Sequence, residues 1–522
     1  MGVTNHKNGV QILRLASAFL ILLSLTLIVR PNDKMANTPL NDDSYYALSV
    51  SKNLAEGKGI TFDGKTQTNG FQPLFTFLSA LVFFLARGDR YLALRFLFIL
   101  HSIFFVLTAF LLGLIVRDAL RERDSIFQSK AFWMTFCLYM SAISILLTHF
   151  NGLETGFYLF CLTLTWRYYQ RMDILKMRSL AGLGVLLGLC VLARIDSVLL
   201  VIILSLSFLI VPDLKWNNRF KPAFITSALA FLVSSPWWLY NWLGFHSIMP
   251  SSAKAQQAWL FSGKRIFDAL TAIGRDLLPH FYSGHYAWSL MNAFRVGVCV
   301  ILGIVLLWLI MNKRKRSLFG QKLIGRSSMA DRFAACLAIF LLALIAWYTV
   351  SSWATHNYGR YFSGLFLLSV PALAVFVLWV LSKRRYFLYI VCVIMVAPIV
   401  LAMAMLHSGK GFSGNLLYKE QLALVAENIK PDVVVSAGQS GTLGFFRDKV
   451  VNLDGKVNAE ALSYQNQIWD YLKRLRISWF CDSEIYLRKY FGNDPEEKGW
   501  TFVAKKGSCV LYHYQGIITE QP

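Results

Sequence analysis

The stretch Asn41-Asp42-Asp43-Ser44-Tyr45-Tyr46 comes shortly after the first apolar run and opens an amphipathic segment. Its paired acids stand out because the chain has only 29 Asp and Glu against 52 Lys and Arg. One explanation is structural, since an Asp at a helix start accepts backbone N–H bonds and offsets the helix dipole. The other is chemical, with the carboxylates as a general base or as metal ligands at the mouth of a membrane-embedded site. The pattern alone leaves both open.

The composition indicates a polytopic α-helical membrane protein. Hydrophobic residues make up 56% of the chain, whereas soluble domains have roughly 45–50%. Apolar runs close to the ~20 residues needed to cross a bilayer recur along the first four fifths of the chain. We therefore predict about 11 transmembrane helices. Their expected positions are 12–29, 92–116, 131–149, 155–170, 179–194, 197–211, 223–242, 291–311, 333–350, 362–381 and 386–406.

The basic residues predict how these spans are oriented. A net charge of +23 does not indicate a nucleic-acid partner here, because the Lys and Arg residues form short clusters between apolar runs. Such clusters are typical of cytoplasmic loops. All of them fall on one side if the N-terminus is cytoplasmic, the C-terminal part is extracytoplasmic and the apolar run Pro73 to Ala86 does not cross. That run is too short to span a bilayer, so we predict a re-entrant segment there.

The C-terminal part differs in character from the rest. Helical patterns at 417–428 and 468–476 alternate with strand patterns, which is typical of a small α/β domain. The strand patterns lie at 433–438, 450–453, 479–481, 500–504 and 509–514. We predict a transmembrane catalytic domain over 1–410 and an extracytoplasmic α/β domain over 415–522. The glycine-rich segment 438–444 lacks the Lys-Ser/Thr pair of a phosphate-binding loop, so nucleotide binding is not predicted.

Charged residues at the outer ends of the spans are candidate site residues. Glu154 opens a span from the outside, where it either compensates a helix dipole or faces the acid pair across a cavity. Arg194 forms either an ion pair with Asp196 or a phosphate contact. Arg360 reaches either lipid headgroups or, through bidentate contacts, a phosphate group.

The order of these motifs resembles the GT-C fold glycosyltransferases. It is most similar to the groups of the protein O-mannosyltransferases, the aminoarabinose transferases and the arabinofuranosyltransferases, and the resemblance spans most of 1–410. The residues that carry it are Asp42-Asp43 with the following helix, Asn69-Gly70-Phe71-Gln72-Pro73-Leu74, Asn151 to Thr155, Ala193-Arg194-Ile195-Asp196 and Arg360-Tyr361-Phe362. The C-terminal part is similar to extracytoplasmic domains of some members.

The resemblance implies a polyprenyl-phosphate sugar donor, an acceptor bound from the outer face and inversion at the anomeric carbon. By position it makes Asp42 the catalytic carboxylate, with Asp43 beside it and Glu154 as the second outer acid. A divalent ion (Mg, Mn or Ca) held by Asp42 and Asp43 is an open alternative.

One departure concerns the donor phosphate. Gln72 stands where the aminoarabinose transferases have a Lys, so other cations must bind the phosphate. The candidates are Arg360, Lys254, Arg194 and Lys65. The candidate substrate-binding residues are Asn69, Gln72, Tyr240, Asn241, His356 and Tyr361.

The expected function is transfer of a sugar from a polyprenyl-phosphate donor to an acceptor hydroxyl on the outer face of a membrane. The expected setting is the bacterial inner (plasma) membrane, with membrane lipids as surroundings and a lipid, glycan or protein as acceptor. The alternative is a transporter or flippase of a lipid-linked or polar solute. Transporters usually carry internal repeats, and the sequence has none that we recognise.

Overall fold

The computed structural model describes residues 2–210, 219–280, 291–299, 329–383, 387–409 and 415–515. Most of the described chain before residue 410 is helical. The helices there are α1 (Gly2–Leu25), α2 (Asn32–Asn37), α3 (Asp42–Ala55), α4 (Pro73–Leu85), α5 (Arg90–Ala119), α6 (Ser125–Ser141), α7 (Ile143–Phe150), α8 (Thr155–Arg171), α9 (Met177–Ala193), α10 (Val198–Leu209), α11 (Phe220–Phe245), α12 (Ser251–Ala255), α13 (Gly263–Leu277), α14 (Met329–Ser351), α15 (Tyr358–Tyr361), α16 (Phe366–Lys383) and α17 (Phe387–Ser408). Residues 291–299 are also helical.

The protein is an integral membrane protein. In the described part of the chain, six helices are long and apolar enough to cross a bilayer, and a seventh is added if the bent pair α6 and α7 counts as one span. The shorter apolar helices are Pro73–Leu85, Met177–Ala193 and Ile195–Leu209. The predicted span at 291–311 lies mostly outside the described residues, so the total of about 11 spans stays a prediction.

The span predicted at 131–149 is not one straight helix. It breaks at Ala142, whose backbone is extended (φ −80°, ψ 115°), and α6 and α7 meet at a bend of 65°. The N–H of Ser144 donates to the Pro279 carbonyl at 3.2 Å. The backbone N–H of Ser144 at the start of α7 is therefore satisfied by a residue that is distant in the sequence. A local sequence pattern does not reveal such a partner.

The turn after α7 brings the start of α8 close to α3. Gly152 has a φ of +79°, and a Cβ at this position would lie 2.5 Å from Leu40 and 2.9 Å from Ser44. Only glycine tolerates both this backbone conformation and this close approach. As a result, Glu154 enters α8 beside the N-terminal turn of α3.

The segment predicted to be re-entrant forms the helix α4. Its 13 residues span about 20 Å, less than the roughly 30 Å of a hydrocarbon core. Pro73 occupies its first turn, where the missing N–H costs nothing. Ser51 on α3 donates to the Thr76 carbonyl at 2.9 Å, which fixes α3 against α4.

The C-terminal part forms the predicted α/β domain. Its elements are α18 (Leu416–Lys419), α19 (Gln421–Asn428), β1 (Val435–Ala437), α20 (Gly441–Phe446), β2 (Val450–Asn452), α21 (Ala459–Ser463), α22 (Ile468–Arg474), β3 (Trp479–Ser483), α23 (Glu484–Phe491), β4 (Trp500–Lys506) and β5 (Cys509–Tyr514). The sheet order is β2-β1-β3-β5-β4. The β1 strand pairs in parallel with β2 and β3, whereas β5 pairs antiparallel with β3 and β4.

This domain is joined to the membrane domain through α20. Phe445 is fully buried within the core of the membrane helices, with ring centroids 5.0 Å from Tyr45 and 5.8 Å from Phe83. The Lys52 ammonium, itself buried, pairs with Asp448 at 2.9 Å. The predicted boundary near 410–415 stays a prediction, because 410–414 lie outside the described residues.

We expect Phe445→Ala to loosen the docking of the C-terminal domain, at a cost of about 3–5 kcal/mol for a buried aromatic side chain. The measurement is thermal unfolding of the purified protein together with the rate at which protease releases the domain. Phe502→Ala is the matched control, because Phe502 lies on β4 with 46% of its surface exposed. Equal stability of the two variants would contradict this account of the interface.

Candidate functional site

A cavity of about 620 Å³, called the main cavity below, lies between α3, the start of α4, the start of α8 and the C-terminal domain. Most of its wall is apolar. The apolar lining includes Leu199, Trp238, Met249, Leu344 and Trp347. The charged lining consists of Asp43, Glu154, Arg194, Asp196, Arg360 and Lys456. The cavity therefore combines an apolar chamber with a cluster of both carboxylates and cations.

Glu154 and Arg360 form a bidentate ion pair in this cluster. The Arg360 guanidinium donates to the two carboxylate oxygens of Glu154 at 2.9 and 2.8 Å, with a third contact from Nε at 3.2 Å. Only 5% of the Glu154 side chain is exposed. Such a fork-to-fork arrangement fixes both side chains in orientation.

Arg194 connects this pair to a second one. It donates to Asp196 at 2.6 Å and to the backbone carbonyl of Arg360 at 2.9 Å. Its guanidinium also lies over the rings of Tyr158 and Tyr361, at 5.3 and 5.4 Å from their centroids. The local ion pair with Asp196 that the sequence suggested is present, and Arg194 lines the cavity as well.

Asp43 faces the main cavity from the first turn of α3. This helix is capped by Asn41, whose side chain accepts from the Ser44 N–H at 3.0 Å. The Asp43 carboxylate accepts from the Lys456 ammonium at 2.7 Å. Burial alone would raise the pKa of Asp43, but Lys456, helped by Arg360 and His356, lowers it to about 2. Asp43 is therefore ionised at neutral pH.

Asp42 points elsewhere and does not line the main cavity. Its carboxylate accepts from the Thr442 N–H at 2.7 Å, from the Thr442 hydroxyl at 2.8 Å and from the Gly441 N–H at 3.3 Å. These donors belong to the N-terminus of α20, where a carboxylate is favoured. Burial raises the pKa of Asp42 against the opposing effect of Thr442. Asp42 therefore caps a helix of the C-terminal domain, α20, whereas its own helix α3 is capped by Asn41.

Lys456 is the site residue that the sequence reasoning missed. It follows β2 in the stretch Asn452-Leu453-Asp454-Gly455-Lys456, far along the chain from the other site residues. Its carbonyl accepts from the Ser251 hydroxyl at 2.8 Å and lies so close to Gly70 that a Cβ there would be 1.7 Å away. A basic residue in a turn after a buried strand is too common a pattern to have indicated this position.

The remaining predicted residues divide by position. Gln72 and Tyr361 line the main cavity, and the Gln72 side chain accepts from the Ile195 N–H at 3.2 Å. Asn69 and Asn241 are buried and bond to each other at 2.9 Å, so they hold the loop before α4 without lining the cavity.

Three other predicted residues lie away from the main cavity. The Tyr240 hydroxyl donates to the Thr68 carbonyl at 3.0 Å, which also secures the loop before α4. Lys65 and Lys254 have exposed side chains and line no part of the cavity. Their predicted phosphate contacts therefore gain no support from geometry.

His356 lines a second cavity of about 380 Å³. Its wall is mainly polar and includes Asn41, Thr148, Asn151, Arg275, His356 and Asn357. Leu153 and Arg360 line both cavities, so the two spaces are neighbours across the Glu154–Arg360 pair.

The acid pair Asp42 and Asp43 does not form a suitable set of ligands for a divalent ion. Asp42 and Asp43 are engaged by different partners, α20 and Lys456. Across the residues the structure describes, no three His, Cys, Asp or Glu side chains come together as metal ligands. The position of a cation beside Asp43 is held by an ammonium group, and no step below involves a metal.

We expect Asp42→Ala to destabilise the protein by about 2 kcal/mol, because it leaves the donors of Gly441 and Thr442 without an acceptor. Protease should also release the C-terminal domain faster from Asp42→Ala than from the wild type. Asp470→Ala is the control, since Asp470 is 61% exposed on the same domain. Unchanged thermal unfolding of Asp42→Ala would argue against its role as an inter-domain cap.

Comparisons with solved structures identify proteins that have a similar fold. No protein-family model and no curated protein matches the chain. Among solved structures, ArnT from Cupriavidus metallidurans bound to undecaprenyl phosphate has a TM-score of 0.59 at 9% identity, over 97% of this chain and 99% of that one. Its apo form has a TM-score of 0.57 at 10% identity, over 97% and 98%.

The oligosaccharyltransferase of Archaeoglobus fulgidus in its apo form has a TM-score of 0.53 at 11% identity, over 94% of this chain and 73% of that one. At such low identity the likeness concerns the fold. It covers both the membrane helices and the C-terminal domain, because 94–97% of the chain is matched. This chain has the GT-C fold, as do ArnT and the archaeal oligosaccharyltransferase.

Proposed function

We propose that this protein is a membrane glycosyltransferase that moves a sugar from a polyprenyl-phosphate donor to an acceptor hydroxyl on the outer face of the membrane. The observation that carries this proposal is the main cavity, in which an apolar chamber adjoins carboxylates and cations. An isoprenoid chain needs the first environment and a sugar phosphate the second. The fold supports the proposal, since one structural neighbour was crystallised with undecaprenyl phosphate.

The donor would bind with its isoprenoid chain against the apolar wall near Trp238 and Trp347. Its phosphate would then lie beside Arg194 and Arg360, which line the polar end of the same cavity. Guanidinium groups suit this task because their rigid fork matches phosphate oxygens. The phosphate is already a good leaving group, so the site needs a base and cations more than a strong acid.

In the proposed reaction the acceptor oxygen attacks the anomeric carbon while the bond from that carbon to the phosphate oxygen breaks. The electron pair of this bond goes to polyprenyl phosphate. The proton of the acceptor hydroxyl goes to Asp43 and then to water. Attack from the side opposite the leaving phosphate inverts the anomeric carbon.

We assign the base to Asp43 in preference to Asp42, because Asp43 lines the cavity and Asp42 caps α20. Glu154 acts through Arg360: its carboxylate holds the guanidinium in place by the bidentate contact. The acceptor, whether lipid, glycan or protein, would approach from the exterior, and the enzyme would reside in a bacterial inner membrane with its N-terminus in the cytoplasm.

Asp43→Asn should lower the rate of transfer by a factor of about 100 or more, the usual effect of removing a general base. The measurement is transfer from a radiolabelled polyprenyl-phosphate sugar by the purified full-length protein. Thermal unfolding checks that the variant is folded, and Asp470→Asn is the matched control. Full activity in Asp43→Asn, or solute flux through proteoliposomes without a covalent product, would refute the proposal.

The pH dependence of kcat/KM gives an independent check on Asp43. Since Lys456 holds the pKa of the free carboxylate at about 2, acidification from about pH 8 to pH 5 should not protonate this base. Without the ammonium, burial dominates and raises the pKa, so Lys456→Met should show an acid limb at higher pH than the wild type. Identical profiles for the two proteins would contradict the assignment.

A further inference from the structure

Among the described residues, three cations line the main cavity, and two of them are already committed to other groups. Arg360 gives three hydrogen bonds to Glu154, at 3.2, 2.9 and 2.8 Å. Arg194 donates to Asp196 and to the Arg360 carbonyl. Both guanidinium groups are held in place by these contacts, so a phosphate can lie beside them only where they already are.

Lys456 is held differently. Its ammonium makes one short contact, with Asp43 at 2.7 Å, and a longer one with Asp454 at 3.6 Å. An ammonium has three donors on a flexible four-carbon stem. The ammonium therefore retains donors for a further ligand, on a side chain that lines the cavity.

The backbone of Lys456, in contrast, is anchored on both sides. Its N–H donates to Asp454 at 2.9 Å and its carbonyl accepts from Ser251 at 2.8 Å. Asp454 in turn accepts from the Tyr46 hydroxyl of α3 at 3.1 Å. A backbone held in place, carrying a side chain with several rotatable bonds, is the arrangement required of a residue that changes partners.

The ion pair also has a chemical consequence for Asp43. A carboxylate with a pKa of about 2 is a weak base, because little free energy is gained when it accepts a proton. Departure of the ammonium would leave burial as the dominant influence and make Asp43 a stronger base. The contact with Lys456 thus makes Asp43 a weaker base than burial alone would.

We propose that Lys456 of the C-terminal domain is a donor-phosphate ligand that leaves Asp43 for the phosphate of the bound lipid, so that donor binding itself releases the base. The inference rests on the proposed function and extends it, because it makes the C-terminal domain a part of the donor site. It also implies an order of events, with the donor bound before Asp43 accepts a proton.

The contribution of the phosphate contact to affinity is distinguished from that of the apolar chain by comparing two ligands. These are undecaprenyl phosphate and the uncharged undecaprenol. Their affinities are measured for the full-length protein in lipid nanodiscs. Lys456→Gln should weaken binding of undecaprenyl phosphate roughly tenfold or more, the effect of losing a hydrogen bond to a charged group. It should leave binding of undecaprenol unchanged, and Lys456→Arg should retain most of the affinity for the phosphate.

Asp43→Asn should change the affinity for undecaprenyl phosphate in the opposite direction. It frees Lys456 and should tighten binding of undecaprenyl phosphate while abolishing sugar transfer. Asp470→Asn, which removes an exposed carboxylate from the C-terminal domain, controls for a general change of charge and should leave binding unchanged. Lys505→Gln is the matched lysine control, since Lys505 pairs with Glu484 at the domain surface.

The outcomes distinguish this inference from the proposed function. If Lys456→Gln binds undecaprenyl phosphate as tightly as the wild type, or if Asp43→Asn weakens that binding, the ion pair is a static structural contact and the inference falls. Transfer activity in the wild type and its loss in Asp43→Asn would then still support the proposed function. If the wild type neither binds undecaprenyl phosphate nor transfers sugar, both are wrong.

Discussion

The site depends on one constraint at the start of α3, where two adjacent carboxylates face different partners. Successive residues of an α-helix point roughly 100° apart, and Asp42 and Asp43 contact different groups. The Asp42 carboxylate accepts hydrogen bonds from the N–H groups of Gly441 and Thr442 at the start of α20. Asp43 turns into the main cavity and meets Lys456. Docking of the C-terminal domain and assembly of the charged cluster therefore occur at the same turn.

A second constraint is the balance of charge in a space whose wall is mostly apolar. Each cation in the main cavity has a carboxylate within hydrogen-bonding distance: Asp196 for Arg194, Glu154 for Arg360 and Asp43 for Lys456. Partly buried charges need such partners because desolvation is costly. A phosphate that enters the cavity must compete with these carboxylates, and the partner held by the most flexible cation is the easiest to replace.

Much of the fold followed from local patterns. The apolar runs, the short segment Pro73 to Ala86 and the alternating elements after residue 415 predicted membrane helices, a short apolar segment and a small α/β domain, because hydrophobic length and periodicity are local properties. The bend at Ala142 did not follow, since a distant carbonyl at Pro279 takes over a donor there. Of the site residues singled out from the sequence, Asp43, Glu154, Arg194 and Arg360 line the main cavity, whereas Lys65 and Lys254 do not. The roles assigned to these residues stay predictions.

The amino-acid sequence by itself determined a membrane protein with an acid pair after its first apolar run, because composition and spacing are readable without neighbours. Only the tertiary structure decided which acid of the pair faces the cavity and which cation meets it. The physical reason is that both choices depend on the docking of a domain about 400 residues away in the sequence. That docking is set by packing of Phe445 and by the acceptor oxygens of Asp42, which no local pattern encodes.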